Sequence, residues 1–366
     1  MAVKWNNPKE RMKVAVIGGG IAGAELVRLA SSRRLDITLI EPKSQVECQA
    51  LYPDYMGGLV RVEDMTAPLK PFCEKVGAKL VNQRALGIEG QEVICEEETR
   101  VPFDVVVVAT GAVQNYFGIK GVEHTFSLNT LEETMRAREY AETNYPDRIM
   151  IIGSGLTGIE TACVLADGME TSIYVIEAMD RLLPSFPAPV SCRVEKALGR
   201  KGINVITNAR VSEVTEDSIL FHDGSSLDCD MAIWTAGIKR CTLPLDLDLP
   251  MKKGWIQTDE YLRAAENMFV IGDCAWVEIG GRIATKTGIE AEHQASHTAR
   301  NLHYLARGKP MKPYTILAGV DHPLALISTG DGCALGVYGD SCLPVPSRLL
   351  HVVKRWIDKS ITKRYR

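Results

Sequence analysis

No run of eighteen apolar residues occurs in the 366-residue chain, so no helix is expected to cross a bilayer. The opening stretch, Met1 to Lys13, is polar and lacks the apolar region of a signal peptide. There are ten cysteines (Cys48, Cys73, Cys95, Cys163, Cys192, Cys229, Cys241, Cys274, Cys333 and Cys342) but no Cys-x-x-Cys pair. That removes zinc ribbons and thioredoxin-type motifs, and no metal centre is expected. Reduced thiols and a cytoplasmic address are the default for such a chain.

Neither sign of charge dominates, since the formal net charge is −4, but the distribution is uneven. From Pro346 to Arg366 there are seven basic residues and one acid, Asp358, a net +6 that leaves −10 on the remaining body. An acidic body with a basic tail argues against nucleic-acid binding and for one polarised surface. With 46% hydrophobic and 24% charged residues the chain is expected to be globular, and its length suits two domains plus a short extra segment.

Lys13 to Ile17 reads as a buried parallel strand. Gly18-Gly19-Gly20-Ile21-Ala22-Gly23 follows, then a helical stretch to about Arg33, then a strand from Asp36 to Ile40 ending at Glu41. Glu41 lies 23 residues after Gly18, the strand–turn–helix–strand–acid order of a dinucleotide-binding unit. Gly18 serves the tight turn, Gly20 the approach of a pyrophosphate and Gly23 close helix–strand packing. The helix N-terminus offers unpaired N–H groups to phosphate. Glu41 can accept hydrogen bonds from a ribose diol.

The pattern recurs. A strand from Arg148 to Ile152 precedes Gly153-Ser154-Gly155-Leu156-Thr157-Gly158. A helix to about Asp167 and a strand from Ser172 to Ile176 follow, ending at Glu177. Glu177 lies 24 residues after Gly153, and the two fingerprints stand 135 residues apart, so two dinucleotide sites are predicted. Each unit continues to an apolar strand ending in a small residue and glycine, Thr110-Gly111 in the first and Ala236-Gly237 in the second. A hairpin turning at Asp223-Gly224 precedes the latter. A third buried strand ends in Gly272-Asp273, and a helix is expected from about Gly288 to Arg307.

These residues resemble the two-dinucleotide-binding flavoproteins, the superfamily of the pyridine nucleotide-disulfide reductases. Within it the chain is most similar to type II NADH:quinone oxidoreductases and to the ferroptosis-suppressor-like (apoptosis-inducing-factor-like) quinone reductases. The stretches that carry this are Pro68 to Phe72, Asn115 to Gly118 with Gly121-Val122, Gly153 to Glu160, Thr235 to Ile238 and Phe269 to Ala275. The resemblance implies an α/β fold with two Rossmann-like domains, glutathione-reductase-like, the NAD domain inserted in the FAD domain. Residues 1–115 and 251–320 would form the FAD-binding domain, 116–250 the NAD(P)H-binding domain, and 321–366 an amphipathic membrane or dimer-interface segment.

The resemblance also distributes roles. FAD would contact Gly18, Gly20, Ile21, Ala22, Gly23, Glu41, Lys43, Ala85, Thr110, Gly111, Gly272, Asp273, Lys286 and Thr287. NADH would contact Gly153, Gly155, Leu156, Thr157, Glu160, Glu177 and Gly237, with Glu160 beside the nicotinamide. Glu177 favours NADH over NADPH by repelling a 2′-phosphate, while Arg181 could soften that preference. Lys286 would stabilise an anionic reduced flavin; the alternative is a solvated surface lysine. For Glu160 the alternative is a plain first-turn helix acid.

The acceptor stays open at this point. Lys286-Thr287-Gly288 replaces the Ala-Gln pair usual in type II dehydrogenases and resembles sulfide:quinone reductases, for which Cys333 would matter. Cys48 lies in a loop similar to that of coenzyme A-disulfide reductases, with Leu51 and Pro53 separated by Tyr52. A thiol/CoA-disulfide reductase or NADH oxidase using Cys48 is therefore the alternative, as is a non-catalytic flavin-bound protein.

After Pro344 and Pro346 a helix is expected from Ser347. Leu349, Leu350, Val353, Trp356, Ile357 and Ile361 recur at helical spacing, with basic residues over much of the rest. Such a helix can lie in a membrane interface, here on the cytoplasmic face, or cover a second subunit or the chain's own body.

Overall fold

The computed structural model describes residues 10–241, 249–343 and 346–366; Pro344 and the opening residues up to Lys9 lie outside them. The first unit runs β1 (Met12–Ile17), α1 (Ile21–Ala30), β2 (Leu35–Ile40), α2 (Tyr52–Met56), β3 (Lys79–Val81) and β4 (Val105–Val108). The β-branched runs of β1 and β4 are buried on both faces, as a parallel sheet covered by helices requires. α1 stops at Ala30, three residues short of the sequence expectation. Ser31 leaves the helical region there and turns its hydroxyl back onto the Val27 carbonyl.

The second unit runs β5 (Thr125–Ser127), β6 (Arg148–Ile152), α3 (Leu156–Gly168), β7 (Ser172–Ile176), β8 (Asn204–Ile206) and β9 (Met231–Trp234). The chain then returns to the first sheet through β10 (Arg263–Ala265) and β11 (Met268–Val270), and continues into α4 (Gly288–Leu305). An antiparallel sheet of β12 (Leu324–Gly330), β13 (Cys333–Tyr338) and β14 (Ser341–Cys342) precedes the last helix, α5 (Arg348–Lys363).

The first sheet has the order β10-β11-β4-β1-β2-β3 and the second β5-β9-β6-β7-β8. Only the β10–β11 pair is antiparallel among them. The registers explain where the sites lie. Ile17 pairs with Ile40 and Val108, and Val108 with Val270, so Gly18, Glu41, Ala109 and Ile271 leave the sheet at one edge. Ile152 pairs with Ile176 and Trp234 and does the same for Gly153, Glu177 and Thr235. Each glycine loop thus sits where the strand order reverses, the usual ligand crevice of an open α/β sheet.

The terminal segment belongs to both halves. Ile327, Leu335 and Val337 join the core around Ile149, Ile159 and Val175, whereas Ile361 and Tyr365 join the core around β1. Tyr365 meets Phe72 edge to face at 5.3 Å.

Candidate functional site

The two glycine loops are built alike. Gly18 and Gly153 have φ near +106° and +105°, a region that L side chains rarely adopt. A Cβ on Gly23 would lie 1.9 Å from the Gly18 carbonyl oxygen, and one on Gly158 would lie 2.2 Å from that of Gly153. Gly20 and Gly155, by contrast, have no protein atom within 4 Å of a Cβ. So in each loop one glycine makes the turn, one lets the helix close on it, and one leaves an open approach at the helix N-terminus.

The two acids are also alike. Glu41 accepts from Gly19 N at 2.6 Å and from Lys43 N at 2.9 Å. Glu177 accepts from Ser154 N at 3.1 Å, from Ser154 Oγ at 2.5 Å and from Met179 N at 2.9 Å. Each carboxylate fastens its glycine loop to the end of the neighbouring strand and still lines the cavity. Arg181 is spent elsewhere. Its guanidinium donates to the carbonyls of Leu183, Pro184 and Phe186 and to Ser191 Oγ, which fixes the loop after β7.

One cavity of about 1880 Å³ touches both loops. Every residue singled out from the sequence for cofactor contact or catalysis lines it, except Gly23, Cys48, Arg181 and Cys333. On its first-sheet side Gly272 N donates to Gln294 Oε1 at 2.7 Å, which aims the following Asp273. Desolvation raises the Asp273 carboxyl, and Lys286 pulls it back. Lys286 is held on both sides: Nζ donates to the Ala275 carbonyl at 2.6 Å and stands 3.9 Å from the centre of the Trp255 ring. Burial lowers its pKa against Asp273.

Glu160, on α3, is buried at the centre of the site. It accepts from Ser328 N at 2.8 Å, and Lys354 Nζ lies 3.3 Å from Oε1. Lys354 also donates to Asp358 Oδ2 at 3.0 Å. Burial pushes the Glu160 carboxyl up to about 7; Lys354 and the Ser328 N–H oppose this, while Asp358 and Asp54 add to it. Burial alone would lower Lys354, but Glu160, Asp358 and Asp54 outweigh it and raise its pKa. Lys354 therefore acts on three carboxylates, and Glu160 keeps its proton to a higher pH than an ordinary carboxyl. Sequence reading counted Lys354 only as part of the basic tail; its one signal was the single tail acid, Asp358, four residues on.

Cys48 does not reach the cavity. It is fully buried, its thiol points at the Asp358 carbonyl at 3.8 Å, and burial pushes it up to about 12. A thiol so raised stays protonated and is a weak nucleophile at neutral pH. Cys333 is partly exposed in β13, outside the cavity lining.

α5 turns most of its apolar face outward and a charged face inward. Lys354, Asp358, Ile361 and Thr362 face inward, whereas Leu349, Val352, Val353, Trp356 and Ile357 are exposed, Leu349 and Trp356 each to 71%. Of the expected apolar face, Ile361 is turned into the protein and Leu350 is half-buried. Exposed Ile289 and Val320 line the cavity, as Ile357 of α5 does. Among the described residues no helix is long and apolar enough to cross a membrane.

A family model described as pyridine nucleotide-disulphide oxidoreductase matches residues 12–299. The chain is 25% identical over 368 residues to a type II NADH:quinone oxidoreductase of Staphylococcus saprophyticus, covering 90% of this chain and 89% of that protein. It is 26% identical over 325 residues to an external alternative NAD(P)H-ubiquinone oxidoreductase of Arabidopsis thaliana, covering 73% of this chain and spanning about half (55%) of that protein. Among solved structures, the sulfide:quinone oxidoreductase of Aquifex aeolicus matches with a TM-score of 0.84 at 18% identity, over 96% of this chain and 92% of that one. NDH2 of Plasmodium falciparum in complex with NADH matches with a TM-score of 0.81 at 17% identity, over 97% and 98%.

Proposed function

The chain belongs to the pyridine nucleotide-disulphide oxidoreductase family, and from that premise we propose that it takes hydride from NADH and passes two electrons, by way of a bound FAD, to a quinone. The observation that carries this reading is the single cavity in which two matched glycine loops meet around Glu160 and Lys286. The Staphylococcus and Arabidopsis relatives, named as quinone oxidoreductases, support the same acceptor.

The residues fit the two nucleotides. Gly20 and Gly155 leave open ground for a pyrophosphate at the N-termini of α1 and α3. Glu41 and Glu177 present carboxylates to a ribose diol. FAD would lie along Gly18, Gly20, Ile21, Ala22, Lys43, Ala85, Thr110, Gly111, Gly272, Asp273 and Thr287, with Gly23 closing the loop beneath it. NADH would lie along Gly153, Gly155, Leu156, Thr157, Glu177 and Gly237. The flavin supplies the step between a hydride donor and a two-electron acceptor; the protein supplies position and charge. Lys286 holds a positive charge at the FAD end of the cavity. Glu160 orients the nicotinamide and holds a proton beside it. NADH is the donor over NADPH, because Glu177 carries the charge that opposes a 2′-phosphate and Arg181 is committed to its loop.

The same reading assigns residues 1–115 and 251–320 to FAD, 116–250 to NADH and 321–366 to the interface. Sheet membership supports it, since β10 and β11 rejoin the first sheet after the second is complete. The outward apolar face of α5, with exposed Arg348 and Lys363 on the same helix, would seat the protein on the cytoplasmic face of an anionic membrane, with the cavity toward the lipid that dissolves quinone. A homodimer through that face is the alternative.

The test is anaerobic reduction by NADH in a stopped-flow spectrometer, followed by menaquinone, ubiquinone, oxygen or coenzyme A disulfide. Bleaching of the flavin by NADH and fastest reoxidation by a quinone are expected. Fastest reoxidation by the disulfide would transfer the assignment to thiol chemistry at Cys48.

A further inference from the structure

Around Glu160 and Lys354 lies a set of polar atoms that cofactor binding does not use. Asp54, on α2, is buried, and its Oδ2 has no hydrogen-bond partner. Arg355 Nε, 3.9 Å from it, has none either, nor do His351 Nδ1 and Ser328 Oγ. These four atoms surround one cluster. Ser328 donates its N–H to Glu160. The Asp54 charge acts on Glu160, Lys354, Asp358 and His351 alike. His351, Lys354, Arg355 and Asp358 recur at i, i+3, i+4 and i+7, one face of α5, and that face is turned toward α2 and α3.

A buried polar atom without a partner is rare, and several in one cluster call for bridging by ordered water. His351, like Arg355, is only half-buried while its unpartnered nitrogen is buried. Of the two, only the imidazole exchanges protons readily near neutral pH, so it is the side chain suited to join solvent to the cluster.

We propose that His351 and Asp54, bridged by water, are the outer and inner ends of a proton-uptake route from solvent to Glu160. The proposal rests on the quinone-reductase reading. Converting a quinone to a quinol consumes two electrons and two protons. NADH supplies both electrons and one proton as hydride, so each turnover draws one further proton from solvent. Glu160, which lines the cavity and whose carboxyl is raised to about 7, gives up that proton and must regain it. Lys354 stays charged and cannot itself be the source.

His351 is faced by Asp54 from α2, by Asp167 from α3, and by Lys354 and Arg355 on its own helix. Burial and the two cations lower its pKa, the two acids oppose them, and the net direction is down. A neutral imidazole takes a proton at one nitrogen and releases one at the other, as a relay needs. Both residues are positioning residues, since they act through Glu160.

The experiment compares native protein, His351→Gln, His351→Ala and Asp54→Asn in three assays. These are flavin reduction by NADH, turnover with ferricyanide, which takes electrons without protons, and turnover with a soluble quinone across pH 6 to 9. The route predicts that flavin reduction and ferricyanide turnover stay within about twofold of native in all variants. Quinone turnover should fall by about tenfold or more above pH 7, with a steeper loss as pH rises. Imidazole should restore it in His351→Ala. Native-like quinone turnover and pH profile in all variants would overturn the route while leaving the quinone reading intact. Equal losses with ferricyanide and quinone, unrelieved by imidazole, would also overturn it, by showing a structural role. A native flavin that NADH reduces and no quinone reoxidises would overturn the functional reading, and the route with it.

Discussion

Lys354 Nζ lies 3.3 Å from Glu160 Oε1, and both side chains are buried. The pair joins the last helix to the helix that follows the second glycine loop. Asp358, 3.0 Å from the same ammonium, and Asp54 bring the acids around Lys354 to three, with Arg355 3.9 Å from Asp54 as a second cation. Replacing Lys354 by Met removes the group that most opposes protonation of Glu160. Its carboxyl should then titrate above 7 rather than near it. Difference infrared spectra of the carboxyl band across pH, with Glu160→Gln as the reference, measure this. An ionisation unmoved by Lys354→Met would refute the coupling.

The same shift has a consequence for stability. Glu160 has a folded pKa above its unfolded value, so the folded state holds the proton more tightly. Its favourable contribution is complete below the unfolded carboxyl value and is lost as pH rises through about 7. Glu160→Gln removes that dependence. Relative to native, the variant should gain stability between about pH 4.5 and 7, by on the order of 3 kcal/mol in total. Urea unfolding at several pH values checks the sign; a difference that stays flat with pH would contradict it.

Much of the fold and half of the site were legible in the sequence. Each dinucleotide unit is a local pattern: a β-branched run, three glycines at fixed spacing, a helix, and an acid at the next strand end. The strand bounds Arg148–Ile152 and Ser172–Ile176 match the reading residue for residue. The Glu160–Lys354–Asp358 cluster was not legible, because it joins α3 to a helix far along the chain and no local pattern records that. The outward apolar face of α5 was among the orientations expected from the sequence; what its pattern hid is that charged Lys354 and Asp358 form the buried side, where an apolar stripe ordinarily lies. Arg181 looked free for a phosphate because its partners are carbonyls, to which the residue types around it give no clue.

The loop glycines separate folding from binding. Gly23→Ala drives a methyl to within 1.9 Å of the Gly18 carbonyl, which cannot move without opening the loop. That variant should lose both flavin and thermal stability. Gly20→Ala meets no protein atom, so its fold should be native-like by circular dichroism while its flavin content drops several-fold. Gly155→Ala should keep its flavin and raise the KM for NADH. Full flavin occupancy in Gly20→Ala would show that the pyrophosphate does not lie over that glycine.

Arg181 and Glu177 make opposite predictions for coenzyme choice. Arg181→Leu frees the carbonyls of Leu183, Pro184 and Phe186, so the loop should loosen and the KM for NADH should rise. The ratio of kcat/KM for NADH to that for NADPH should change little, because the guanidinium is not aimed at a ligand. Glu177→Gln removes the charge and should narrow the ratio by about tenfold, the equivalent of about 1.4 kcal/mol. A ratio that moves with Arg181 and not with Glu177 would reverse these roles.

The exposed face of α5 meets either lipid or a second subunit. Deleting the chain from Arg348 onward is a poor test, because Lys354, Ile361 and Tyr365 are part of the interior and would be lost with it. Leu349→Ser with Trp356→Ser changes only side chains that are 71% exposed, so flavin content and reduction by NADH should be native. Co-sedimentation with anionic liposomes should fall by about tenfold or more, since two interfacial anchors are removed. Binding of the native protein should weaken with salt, as the basic residues of the helix are screened, and should be weaker on neutral lipid. If the double variant sediments with liposomes as native does but elutes as a monomer where native elutes as a dimer, the face belongs to a second subunit instead.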